Sequence, residues 1–143
     1  RIGDFHTSRG PVTDVSDIAI DLNGRMFGGS VSKKIYVVHP DDATLDEKFS
    51  FEDKANGMAF LPDGNLVIAG TDVTVIDPDT GRTIRRLATS NEYETSGDII
   101  GLPDGQLYWT VRGTNGSGDV LVRINPADGS TRQLGHGALV FIE

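Results

Sequence analysis

The turn Leu-Pro-Asp-Gly stands at residues 61–64 and again at 102–105, and Asp-Leu-Asn-Gly holds the matching place at 21–24. The turn glycines Gly24, Gly64 and Gly105 recur about every 40 residues. A second landmark keeps step with them: Pro40, Pro78 and Pro126, inside YVVHPDDATL (36–45), VIDPDTGRTI (75–84) and RINPADGSTR (123–132). Two landmarks in register, with apolar runs between them, define an internal repeat. A repeat of this length restricts the chain to supersecondary units that bury their faces against their neighbours.

Each unit reads as four short strands. The first covers Ile18–Ile20, Met58–Phe60 or Ile99–Ile100 and ends at Asn-Gly or Asp-Gly, where a hairpin needs positive φ. The second covers Arg25–Phe27, Leu66–Ala69 or Leu107–Val111. The third, Ile35–Val38, Val73–Ile76 or Val120–Ile124, is rich in the β-branched residues that suit a half-buried pleated surface. A proline-led turn then reverses the chain into the fourth strand, Leu45–Phe49, Thr83–Leu87 or Thr131–Leu134. Apolar residues come in runs of three to five or alternate, and none follows the 3.6-residue period of an amphipathic helix. Eighteen glycines fit this turn-rich, all-β composition.

Four-stranded units of about 40 residues are the blades of a β-propeller. The pattern NGMAFLPDGNLVIAG…VTVIDPDTGRTIRRL resembles the blades of NHL-type propellers and of the gluconolactonase and paraoxonase group, over nearly the whole chain. The 143 residues are expected to form one partial propeller domain, with blades at about 15–52, 55–91 and 96–135. RIGDF at 1–5 resembles the outer, fourth strand of a preceding blade, and ALVFIE at 138–143 the first strand of a following one. Propellers close with roughly 4–8 blades, so three leave two blade faces without partners. The chain opens on Arg1, as a processed or excised piece would. Three explanations stay open: a fragment of a longer chain, a homodimer that closes a six-bladed ring, or a compact variant of fewer blades.

Thirteen basic against 21 acidic residues give a net charge of −8, which argues against nucleic acid as a partner. The absence of cysteine excludes disulfides, thiolate metal sites and a cysteine nucleophile. No apolar run reaches the roughly 18 residues that span a bilayer, so membrane insertion is not expected. An extracellular or periplasmic setting is the favoured expectation.

Propellers place ligands at one axial mouth, formed by the segments leading into first strands and those joining second to third strands. Here the lead-ins are Asp14–Asp17, Ala55–Gly57 and Ser96–Asp98. In the group this chain resembles, Asn, Asp and Glu oxygens hold calcium at that place. The resemblance carries over to Asn56 as an oxygen ligand and, one position out of register, to Asp17 and Asp98. Calcium takes roughly six to eight oxygens, more than these three supply. The competing reading is local, since Asp and Asn before a strand commonly cap backbone N–H groups. The same applies to Asp63 and Asp104 in the turns, and to His39, Asp77 and Asn125 before the prolines.

His6, His39 and His136 show no metal-ligand spacing, and no Ser lies in a G-x-S-x-G elbow. One departure from the repeat stands out, the longer connection RGTNGSGD at 112–119 in the third blade. Long loops on rigid scaffolds carry recognition, which marks Trp109, Arg112 and Asn115 as candidate ligand or partner residues. Either Trp109 or Tyr108 should enter the blade interface, its neighbour facing away. The expected function is a non-catalytic scaffold or recognition propeller that binds protein, peptide or carbohydrate. The alternative is a calcium-dependent lactonase or esterase of the gluconolactonase type.

Overall fold

A computed structural model describes residues 2–89, 91–113 and 118–134. The described residues are all-β and form a partial propeller of three four-stranded antiparallel blades. Blade 1 comprises β3 (Val15–Ile20), β4 (Met26–Ser30), β5 (Lys34–His39) and β6 (Thr44–Ser50). Blade 2 comprises β7 (Gly57–Phe60), β8 (Leu66–Ala69), β9 (Val73–Ile76) and β10 (Thr83–Ala88). Blade 3 comprises β11 (Glu94–Gly101), β12 (Leu107–Arg112), β13 (Asp119–Ile124) and β14 (Thr131–Gln133). Each blade is a simple meander, with sequential strands paired.

The repeated turns explain the repeated sequence. Gly24, Gly64 and Gly105 adopt φ of 79°, 86° and 81°, a region in which a side chain would be strained. In each turn the glycine N–H bonds back three residues, to the carbonyl of Asp21, Leu61 or Leu102. Asp63 and Asp104 accept from the N–H two residues on, as turn caps. The proline-led turns use the same device: Asp77 Oδ1 accepts from Asp79 and Thr80, and Asn125 Oδ1 from Ala127. His39 departs from that role, its ring meeting Asp46 at 2.8 Å instead.

Blades stack through two apolar layers. Phe27, Ile35 and Ala19 of blade 1 pack on Met58, Leu66, Ile68 and Ile76 of blade 2, with Phe27 and Phe60 ring centroids 5.4 Å apart. The opposite face of blade 2, including Val67, Val73 and Val75, packs on Leu107, Trp109, Val122 and Ile124 of blade 3. Strands β8 and β9 are therefore buried on both faces and carry LVIA and VTVI, apolar but for the buried Thr74. Charged links clip the rim: Arg25 bridges Asp21 and Asp79, and Arg86 bridges Asp72 and Glu52.

The N-terminal segment differs from the expected blade strand. Residues 2–5 form no strand; the chain first pairs at β1 (His6–Thr7) and β2 (Gly10–Pro11), a small hairpin. β1 joins the outer strand β6 of blade 1 in parallel, at His6 opposite Thr44. Phe5 and Val12 instead pack against Tyr36, Val38 and Leu45. Packing Phe5 over the open face of blade 1 takes apolar surface from water. The expected strand at 138–143 lies outside the described residues.

Candidate functional site

The first strands of the three blades lie side by side, β7 between β3 and β11. This arrangement brings together Asp17 of β3 and Asp98 of β11, two of the three oxygen donors picked out in the sequence. Gly57 makes the approach feasible. A Cβ there would stand 2.8 Å from Ile99 N and 3.1 Å from Asp98 Cα, so only glycine lets β11 come this close. Asp17 Oδ2 accepts from Met58 N at 2.6 Å, and Asp98 Oδ1 accepts from Ile99 N at 2.7 Å. A β-bulge between Thr95 and Ile99 sets the direction of Asp98.

The two carboxyl groups are close enough for the charge of one to act on the other. Burial, then the charge of Asp98, pushes the Asp17 carboxyl up to about 6, against the pull of the Ile18 and Met58 N–H groups. Near neutral pH the Asp17 carboxyl thus keeps its proton for part of the time. One oxygen of each carboxyl is already engaged by a backbone N–H group. Among the described residues no group of three or more His, Cys, Asp or Glu side chains is placed to hold a metal ion. A site with roughly six to eight oxygen ligands cannot be assembled from this set.

Asn56, the third expected ligand, lines a different feature, a polar cleft of about 460 Å³ between blades 2 and 3. Lys54, Thr71, Tyr93, Glu94 and Arg112 share its walls. Each side is held by its own device. On the blade 2 side Asp53 accepts from Thr71 N at 2.5 Å, Asp72 N at 3.0 Å and Lys54 N at 2.7 Å, which fixes the β8–β9 turn against the lead-in to β7. Burial opposes the Asp53 charge, yet these hydrogen bonds hold its carboxyl below the usual range. On the blade 3 side Tyr93 packs edge-on against Trp109, centroids 6.1 Å apart. Arg112 Nε lies 3.6 Å from Glu94 Oε1, an exposed contact that leaves both groups accessible.

Of the expected partner residues, Arg112 reaches the cleft and Asn115 lies outside the described residues. Trp109 is fully buried, and its indole N–H donates to Thr95 Oγ1 at 3.2 Å. It serves the blade 2–blade 3 core, because strand alternation turns Trp109 toward blade 2 and Tyr108 away from it. Lys54, Tyr93 and Glu94 did not stand out in the sequence. Their one signal is position: Lys54 and Tyr93-Glu94 flank the first-strand lead-ins, where the mouth of a propeller forms.

A second concavity, about 620 Å³, runs along the three first strands and is mostly apolar. Ile18, Ile20, Phe60 and Ile100 line it, and Asp98 stands at its edge.

No protein-family profile matches the chain, and no curated protein matches it. Solved structures that resemble it are β-propeller proteins. A proposed oxidoreductase (glucose dehydrogenase) from Thermus thermophilus aligns with a TM-score of 0.62 at 16% identity, over 80% of this chain and 45% of that one. BamB from Moraxella catarrhalis aligns at 0.58 and 13%, over 85% and 37%. YCF48 bound to D1 peptide aligns at 0.60 and 13%, over 89% and 41%. The chain thus spans less than half the length of the propellers it matches. Identities this low speak for the fold alone.

Proposed function

We propose that this chain is a non-catalytic recognition propeller that binds an extended protein segment in the cleft between blades 2 and 3. The observation that carries the reading is the cleft's make-up. Lys54, Glu94, Arg112 and Asn56 offer charges of both signs and an amide beside the ring of Tyr93, on walls held by core strands. Backbone amides, carboxylates and amines of a peptide would each find a complement there, and rigid walls lower the ordering cost of binding. YCF48, a protein of similar fold solved with a bound peptide, supports the reading by analogy.

The alternative, a calcium-dependent lactonase, would need one ion shared by Asp17, Asn56 and Asp98 and completed by further oxygens beyond these three.

The test is a peptide-array and a glycan-array screen with the unaltered chain and with Arg112→Ala and Tyr93→Ala. Peptides should be captured and should bind at least about tenfold more weakly to both variants, as expected for contacts central to a cleft. Hits indifferent to both substitutions, or confined to glycans, would refute peptide recognition here.

A further inference from the structure

The outward face of blade 3 is built unlike the corresponding faces of blades 1 and 2. Following register from the second strand to the fourth, blade 1 presents the row Phe27–Val37–Asp46 and blade 2 the row Val67–Val75–Arg85. In both rows the first two side chains are apolar and pack against the next blade. The row in blade 3 is Tyr108–Arg123–Arg132. Directly paired residues on neighbouring strands share a face, so two guanidinium groups stand opposite one another beside a tyrosine. Thr110 and Leu121, also directly paired, lie alongside.

Like charges in direct cross-strand apposition oppose strand pairing. Both arginines lack a carboxylate partner among the described residues, where the ion-paired arginines are Arg25, Arg86 and Arg112. Blade 1's free face, by contrast, is covered by the chain's own Phe5 and Val12. A second copy suits the blade 3 face poorly. Two blade 3 faces would set four arginines against each other, and a blade 1 face would first have to release its N-terminal cover.

We propose that the outward face of blade 3, centred on Tyr108, Arg123 and Arg132, docks an acidic protein segment whose carboxylates pair with the two guanidinium groups. Guanidinium forks match carboxylates bidentately, and the tyrosine ring supplies an apolar floor beside them. The net charge of −8 disfavours nucleic acid as the source of anions. This surface is separate from the cleft between blades 2 and 3 and does not depend on the reading given to that cleft.

The probes are a ten-residue peptide alternating glutamate with threonine and its lysine counterpart, titrated calorimetrically against the chain. The glutamate peptide should bind, lose affinity as salt rises, and bind about tenfold more weakly or worse to Arg123→Glu/Arg132→Glu. Arg123→Lys/Arg132→Lys should retain part of the affinity, and Arg82→Ala, in the turn between β9 and β10, should retain all of it. No binding to the unaltered chain, or equal binding to the charge-reversed variant, overturns the proposal. So does a concentration-dependent doubling of mass abolished by the same reversal, which would place a second copy on this face.

Discussion

Asp17 accepts a hydrogen bond from the Met58 N–H of the adjacent blade and feels the charge of Asp98, one blade further on. Three first strands thereby meet at one carboxyl group. The charge repulsion between the two aspartates is relieved when Asp17 holds a proton.

Stability should therefore fall as pH rises through about 6. Asp17 is raised from 3.8 to about 6 in the folded chain, so the folded state binds the proton more tightly than the unfolded one. Its contribution is fully present below the unfolded value and is lost on passing upward through the folded one. Asp53, Asp42 and Asp77 work in the opposite sense. Their carboxyls are held below the usual range, so they lose stability as pH drops through that lower range. Thermal melts should show a maximum near about pH 4 and a decline of a few degrees toward neutrality. Asp17→Asn should flatten that decline. A wild-type Tm that climbs steadily from about pH 5 to about 7.5 would contradict the raised Asp17 carboxyl.

Gly57→Ala should destabilise the chain by about 1–3 kcal/mol, the usual cost of forcing an extra methyl group into packed structure. The atoms it would meet belong to the backbone of β11, which cannot rotate away as a side chain would. The same substitution should weaken the pH dependence, because it parts β7 from the strand that carries Asp98. Chemical denaturation of the variant at two pH values checks both effects.

Asp53→Ala should cost about 1.5 kcal/mol through the backbone N–H groups of Lys54, Thr71 and Asp72 that it leaves without their acceptor. Asp53→Asn keeps one acceptor oxygen and should cost less. Because Asp53 ties the β8–β9 turn to the lead-in of β7, hydrogen exchange should quicken at Thr71 and Asp72 before the rest of blade 2 is affected. Uniform change across the chain would mean that the carboxylate supports the whole blade rather than the cleft wall.

Strands, turns and the number of blades were legible in the amino-acid sequence because each rests on local chemistry. A glycine is needed where φ is positive, a capping carboxylate or amide fits before a turn, and apolar runs mark strands buried on both faces. Even the side taken by Trp109 was limited to two choices by strand alternation, and packing against Val67, Val73 and Tyr93 selected one. The place of the N-terminal segment was not legible in RIGDF, since an isolated five-residue stretch does not show that Phe5 will find an open apolar face to cover.

What only the tertiary structure decided is how residues from different blades meet. Asp17 and Asp98 look alike in the repeat, but their union depends on the thickness of the strand between them, set by Gly57. Asn56, next to that glycine, faces the cleft with Lys54 and Arg112 instead. The two arginines of blade 3 became neighbours only through strand register. Such relationships arise from packing between distant segments, where an ångström of approach decides the contact and no local pattern in the chain records it.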